Sequence, residues 1–146
     1  MGTFSYYVGK MDIPKTDRPE YARQALKMLR AGGMMSTDQA HLYSKTIHLL
    51  FPPELDDEGK AYGCYNYLDE ASWETWELDA AKGVFYSGKI GGKCFFHTIV
   101  AANILSALWS KSYGAVMVDD YLVTERPYIA WANSVLGTAF TDERST

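Results

Sequence analysis

Cys94 and His97 stand three residues apart at the head of an apolar stretch, close enough on a helix for an imidazole to meet a thiol. A helix starting just behind Gly91-Gly92 would lower the thiol pKa, the first requirement of a nucleophilic cysteine. The second is a group that orients the base, and the sequence identifies none. A small thiol-dependent enzyme is thus an alternative reading, set against the preference of cysteine for crowded, buried positions. Cys64, Cys94 and His97, with His41 or His48, contain the right atoms for zinc but lack two pairs of closely spaced ligands. Gly83-Val84-Phe85-Tyr86-Ser87-Gly88-Lys89 matches the first seven positions of a phosphate-binding loop. Ile90 then replaces the hydroxyl residue that would hold magnesium, and Val-Phe-Tyr reads as strand. Asp119-Asp120 suits a hairpin turn better than a catalytic pair, even with Glu125 nearby. No complete catalytic set or cofactor cradle emerges, so the chain is read as a non-enzymatic protein without cofactor or metal.

The strongest signal is a concentration of charge. Glu54, Asp56, Asp57, Glu58, Asp69, Glu70, Glu74, Glu77 and Asp79 face the single base Lys60, so this stretch carries −8 while the whole chain carries −4. Tyr62, Tyr65, Tyr67, Trp73 and Trp76 lie among the acids. Mutual repulsion on that scale destabilises a compact state, and a basic partner would offset it. Acids steer such a partner in, and aromatic rings anchor it. The expected contact residues are Glu54, Asp56, Asp57, Glu58, Asp69, Glu70, Trp73, Glu74, Trp76 and Glu77.

Composition narrows the classes further. The 146 residues suit one domain, and 47% apolar with 22% charged residues is globular composition. Lysines and arginines never gather into a run that would track phosphates, and the pI is about 5.3, which argues against nucleic acid. The longest apolar stretch, Phe95 to Trp109, is too short and too polar for a bilayer. Met1 to Lys10 lacks the pattern of a secretory signal. Two cysteines build no disulfide framework. A cytoplasmic location is expected.

These residues must be positioned by a mixture of elements. Thr3 to Val8 reads as a strand. Asp17 or Arg18 starts a helix with Pro19 in its first turn, its inner face Tyr21, Ala22, Ala25, Leu26 and Leu29, and Gly32-Gly33 as its stop. Ser36 to Gln39 fits a capping box for a short helix to Tyr43, and Thr46 to Phe51 a strand. Tyr62 to Leu68 reads as a strand. Asp69 to Leu78 reads as a helix, with Trp73 and Trp76 on one side and Glu70, Glu74 and Glu77 beside them. Val84 to Ser87 is a short strand, and Gly88 to Gly92 a loop. Lys93 to Ser110 is apolar all round, the mark of a buried helix. Gly114 to Val118 and Tyr121 to Thr124 form a hairpin, and Pro127 to Leu136 a last helix closed by Gly137. Thr138 to Thr146 is expected to fray. Without strict alternation, the pattern predicts a single α+β domain, its mixed or antiparallel sheet packed on the Lys93–Ser110 helix.

Three local signatures occur in a familiar order: Gly32-Gly33-Met34-Met35-Ser36; Tyr65-Asn66-Tyr67-Leu68-Asp69-Glu70 with Trp73-Glu74; and Tyr128-Ile129-Ala130-Trp131-Ala132-Asn133 with Leu136-Gly137. Together they resemble the bacterial immunity proteins of polymorphic and contact-dependent growth-inhibition toxin systems. The resemblance implies a cytoplasmic, non-catalytic protein that binds a cognate toxin domain and blocks it, in many systems a nuclease with a basic cleft. It leaves Trp73 and Trp131 open to a core role. A homodimer that buries the aromatic surface is a third reading.

Overall fold

A computed structural model describes residues 3–32, 35–36, 53–65, 74–87, 96–112 and 114–141. The described residues form an α+β domain with three α-helices and two antiparallel sheets. The helices are α1 (Arg18–Ala31), α2 (Phe96–Trp109) and α3 (Arg126–Leu136). One sheet has three strands in the order β1 (Ser5–Val8), β6 (Ala115–Val118), β7 (Tyr121–Leu122). The other has four, in the order β2 (Met35–Ser36), β3 (Lys60–Tyr65), β4 (Glu74–Asp79), β5 (Val84–Ser87). Met35–Ser36 thus pair with Cys64 and Gly63 as strand, and an extended Ser36 is what the N-cap of the expected helix requires. The rest of that helix and the Thr46–Phe51 strand lie outside the described residues.

Helix α2 organises the molecule. Every residue from Thr98 to Ala107 is buried, because the helix packs against α1, α3 and strands of both sheets. No helix among the described residues is long and apolar enough to cross a membrane. Asn103, Ser106 and Trp109 of α2 each meet a polar partner, as burial requires. Asn103 Nδ2 donates to Ser5 Oγ of β1 at 2.9 Å. Ser106 Oγ donates to Ala102 O at 3.0 Å, so the Tyr21 hydroxyl of α1, 2.7 Å away, donates to Ser106. Trp109 Nε1 donates to Gln24 Oε1 of α1 at 2.9 Å. Burial raises the Tyr21 pKa and keeps that phenol neutral.

Pro19 lies in the first turn of α1, where its missing N–H costs nothing. Gly137 closes α3 at φ 70°, a conformation that a Cβ disfavours. The expected fraying does not begin at Thr138. Asn133 Oδ1 accepts from Thr138 Oγ1 at 2.8 Å and Phe140 N at 2.9 Å, and Asn133 Nδ2 donates to Phe140 O. The Phe140 ring then meets Trp109 edge-on at 6.4 Å.

Residues 74–79 are strand, where the sequence predicts helix. The physical reason is period two: Trp76 and Leu78 point inward, while Thr75, Glu77 and Asp79 belong to the other face of the pleat. With β3 and β5 both paired to it, β4 is the better-satisfied choice for that backbone.

Asp12 ties the segment before α1 to the α2–β6 connection. Its carboxylate accepts from Ser112 N at 2.9 Å and from Ser112 Oγ at 2.8 Å. The backbone bond from Ser112, then the hydroxyl bond, hold this carboxyl below the usual carboxylate range. A depressed folded-state pKa gives stability that is present above the unfolded value and lost as pH falls through the folded one. Urea midpoints should therefore drop as pH goes below about 4, and Asp12→Asn should flatten part of that drop. An identical acid limb in the variant would remove Asp12 as a contributor.

Candidate functional site

The acidic stretch divides into two places that adjoin. The first is the loop entering β3. Glu54, Asp56, Asp57 and Glu58 are all exposed on it. Asp56 differs from its neighbours because its carboxylate is committed to the loop itself. Asp56 Oδ1 accepts from the N–H groups of Glu58 and Lys60, both at 2.9 Å, and Asp56 N donates to Lys60 O at 2.7 Å. Gly59 makes the turn possible at φ 79°. Arg30 of α1 anchors the loop's start by donating to Pro53 O at 3.0 Å. Asp56→Ala should destabilise the chain by about 1–2 kcal/mol, the loss of two charge-assisted bonds at a surface turn. Asp57→Ala should change stability by less than about 0.5 kcal/mol. Paired urea titrations check the contrast, and equal effects would contradict the assignment of Asp56 to the turn.

The second place is the solvent face of the four-stranded sheet. Tyr62 of β3 pairs with Glu77 of β4, and Glu77 pairs with Tyr86 of β5. Partners across a ladder project to the same side, so the three form one row: ring, carboxylate, ring. At the usual strand spacing the two tyrosine backbones are about 10 Å apart. Tyr62 and Tyr86 are 43% and 53% exposed. The next row pairs Lys60 with Asp79 and Asp79 with Val84. The Lys60 pKa is raised, first by Tyr62, against desolvation as the second-largest effect, and then by Asp79, Glu77 and Glu58. Loop and sheet acids therefore share one field, with Lys60 inside it. Asp79 is buried, and its carboxylate accepts from Lys82 N at 3.0 Å, closing the β4–β5 turn.

Trp76 does not belong to this surface. It is 2% exposed, faces the core and stacks on Phe85 with ring centroids 6.0 Å apart. The pleat that turns Glu77 outward turns its neighbour inward, so Trp76 and the acids occupy opposite sides of the sheet. Its indole covers Gly63, the cross-strand partner, where a Cβ would stand 2.4 Å from ring carbons. Glu74 opens β4 opposite Tyr65. Asp69, Glu70 and Trp73 lie outside the described residues.

Tyr62 and Tyr86 are the exposed residues of this row that the expected contact set lacks, and of the two only Tyr86 lies outside the acidic stretch. The alternation of Phe85 and Tyr86 on a strand was the available signal, obscured by the phosphate-loop match over Gly83–Lys89. In the structure Val84–Ser87 is an extended strand paired to β4, not a phosphate cradle.

Cys94 lies outside the described residues, and His97 Nδ1 is 2.8 Å from the Tyr128 hydroxyl. Among the described residues no group of three or more His, Cys, Asp or Glu is placed to hold a metal. Asp119 takes φ 51° in the β6–β7 turn, and its carboxylate accepts from Phe4 N at 3.0 Å. The outer side of the three-stranded sheet also exposes apolar groups, with Phe4, Tyr6, Val8 and Leu122 all exposed. Compared with protein-family models, with curated proteins and with solved structures, the chain finds no match.

Proposed function

We propose that this chain is a non-catalytic binding protein that captures a basic partner protein on the outer face of its four-stranded sheet. The partner class we propose is a toxin domain, neutralised in the cytoplasm by covering its basic site, as the resemblance to immunity proteins implies. The observation that carries the reading is the row Tyr62–Glu77–Tyr86. Two exposed rings about 10 Å apart with a carboxylate between them suit the stem and head of a lysine or arginine side chain. The rings attract the cation through their faces, and the acid pairs with it. Tyrosine supplies this contact at low conformational cost. Exposed Glu54, Asp57 and Glu58 on the adjoining loop add long-range steering, which acts mainly on association rate and fades with salt.

The test uses the chain immobilised and exposed to extract of its native cell at low salt. The expected result is retention of a basic protein that rising salt releases. That protein, expressed alone, should arrest growth, and co-expression of this chain should restore it. The triple variant Asp57→Lys, Glu58→Lys, Glu77→Lys should bind roughly tenfold to a hundredfold more weakly, at up to about 1 kcal/mol per exposed pair. Asp56 is left intact so that the loop keeps its turn. Equal retention and equal salt response in the variant would remove the acidic face from the account.

A further inference from the structure

The three helices meet around a cavity of about 490 Å³, whose described lining residues include none of the acidic face. Gly32 ends α1 there, His97 and Thr98 lie in the first turn of α2, and Tyr128 and Trp131 project from α3. The volume is that of a small-molecule pocket and fits one or two rings. Its shape follows from the local sequence. A Cβ at Gly32 would stand 2.1 Å from Thr98 Oγ1, so only glycine lets α1 and α2 close the cavity on that side. Tyr128 and Trp131 are three residues apart on a helix, hence on one face.

Two polar groups meet at one point of a mainly apolar lining. His97 Nδ1 and the Tyr128 hydroxyl are 2.8 Å apart. Phe96 braces the imidazole edge-on at 4.9 Å, and the imidazole and phenol rings lie 5.7 Å apart. Burial raises the Tyr128 pKa and keeps its proton in place near neutrality. With either imidazole tautomer the pair shares one hydrogen, so it presents a donor to one ligand and an acceptor to another. None of the described lining residues is a carboxylate, lysine or arginine, so these residues offer a charged ligand no counter-charge for its lost hydration.

We propose that this cavity is a binding site for a neutral, planar aromatic molecule bearing one hydroxyl or amide group. The ring packs against Trp131 and Tyr128, and the polar group bonds to the His97–Tyr128 pair.

The experiment titrates phenol, toluene and benzoate separately into the isotope-labelled full chain. Chemical shifts of the His97 ring and the Trp131 indole are followed by NMR. Phenol should give saturable shifts at both residues with a dissociation constant in roughly the millimolar range, as expected for a ligand of so few atoms. Benzoate should bind at least about tenfold more weakly, because its charge is unmatched. Tyr128→Phe removes one oxygen and keeps the ring, so the fold is retained, as an unchanged amide spectrum would show. In that variant phenol should weaken about fivefold to tenfold while toluene is unaffected, the difference being one hydrogen bond. The proposal is overturned by an absence of saturable shifts at His97 and Trp131, by benzoate binding more tightly than phenol, or by equal loss of phenol and toluene in the variant.

Discussion

Trp76→Ala will destabilise the chain by about 3–5 kcal/mol, the usual cost of emptying a tryptophan-sized site in a core. The indole has Phe85 on one side and Gly63 beneath it. Collapse onto the gap is blocked because both neighbours are held by strand pairing on either side of β4. Trp76→Phe should cost far less, because the buried indole N–H has no hydrogen-bond partner among the described residues. Phenylalanine removes that unsatisfied donor while filling most of the volume. Chemical denaturation of the three proteins measures the series. A loss below about 1 kcal/mol in the alanine variant would contradict the core placement and return Trp76 to the surface.

The second large effect falls on affinity and not on folding. Tyr62→Ala with Tyr86→Ala should weaken capture of the basic partner by about 2–4 kcal/mol, the range of paired aromatic anchors at an interface. The same double variant should lose only about 1 kcal/mol of stability or less, since cross-strand pairs on an exposed face contribute little. Calorimetric titration with the captured partner, beside a denaturation curve, separates the two quantities. Unchanged affinity would exclude the sheet face, whatever the acids do. Asn133 offers a contrast in kind: its bonds to Thr138 and Phe140 concern the docking of the segment after α3 and nothing at the sheet face.

Much of the architecture was legible because local signals and tertiary burial agree. The apolar run around Ile99 to Leu105 admits only a buried helix, and α2 is one. Pro19 and Gly137 mark the ends of helices, and they do so in the structure. The misreading came where two periods compete in few residues. Trp73 and Trp76 fit a helix by their spacing of three, but Trp76, Glu77, Leu78 and Asp79 alternate strictly, and pairing on both edges decides for strand. That choice moves Trp76 from the binding set to the core and keeps Glu77 outside. The division into two sheets was not legible, since it depends on pairings between distant segments. Nor was the fixed role of Asp56, because an Asx turn is set by backbone geometry that composition does not reveal. Tyr86 escaped for the same reason: its importance lies in its register opposite Glu77, a property of the ladder and not of the residue.

The ladder joining β1 to β6 links segments more than a hundred positions apart. On an elongating nascent chain, the first strand must wait until nearly all the intervening polypeptide has emerged before it can pair. The entropic toll on equilibrium is slight, about 0.6 kcal/mol for each doubling of the closed span. The kinetic toll is larger, since remote pairing slows the search for the transition state. Refolding should therefore run on a millisecond-to-second scale, leaving an unpaired, largely apolar strand that chaperones would have time to shelter.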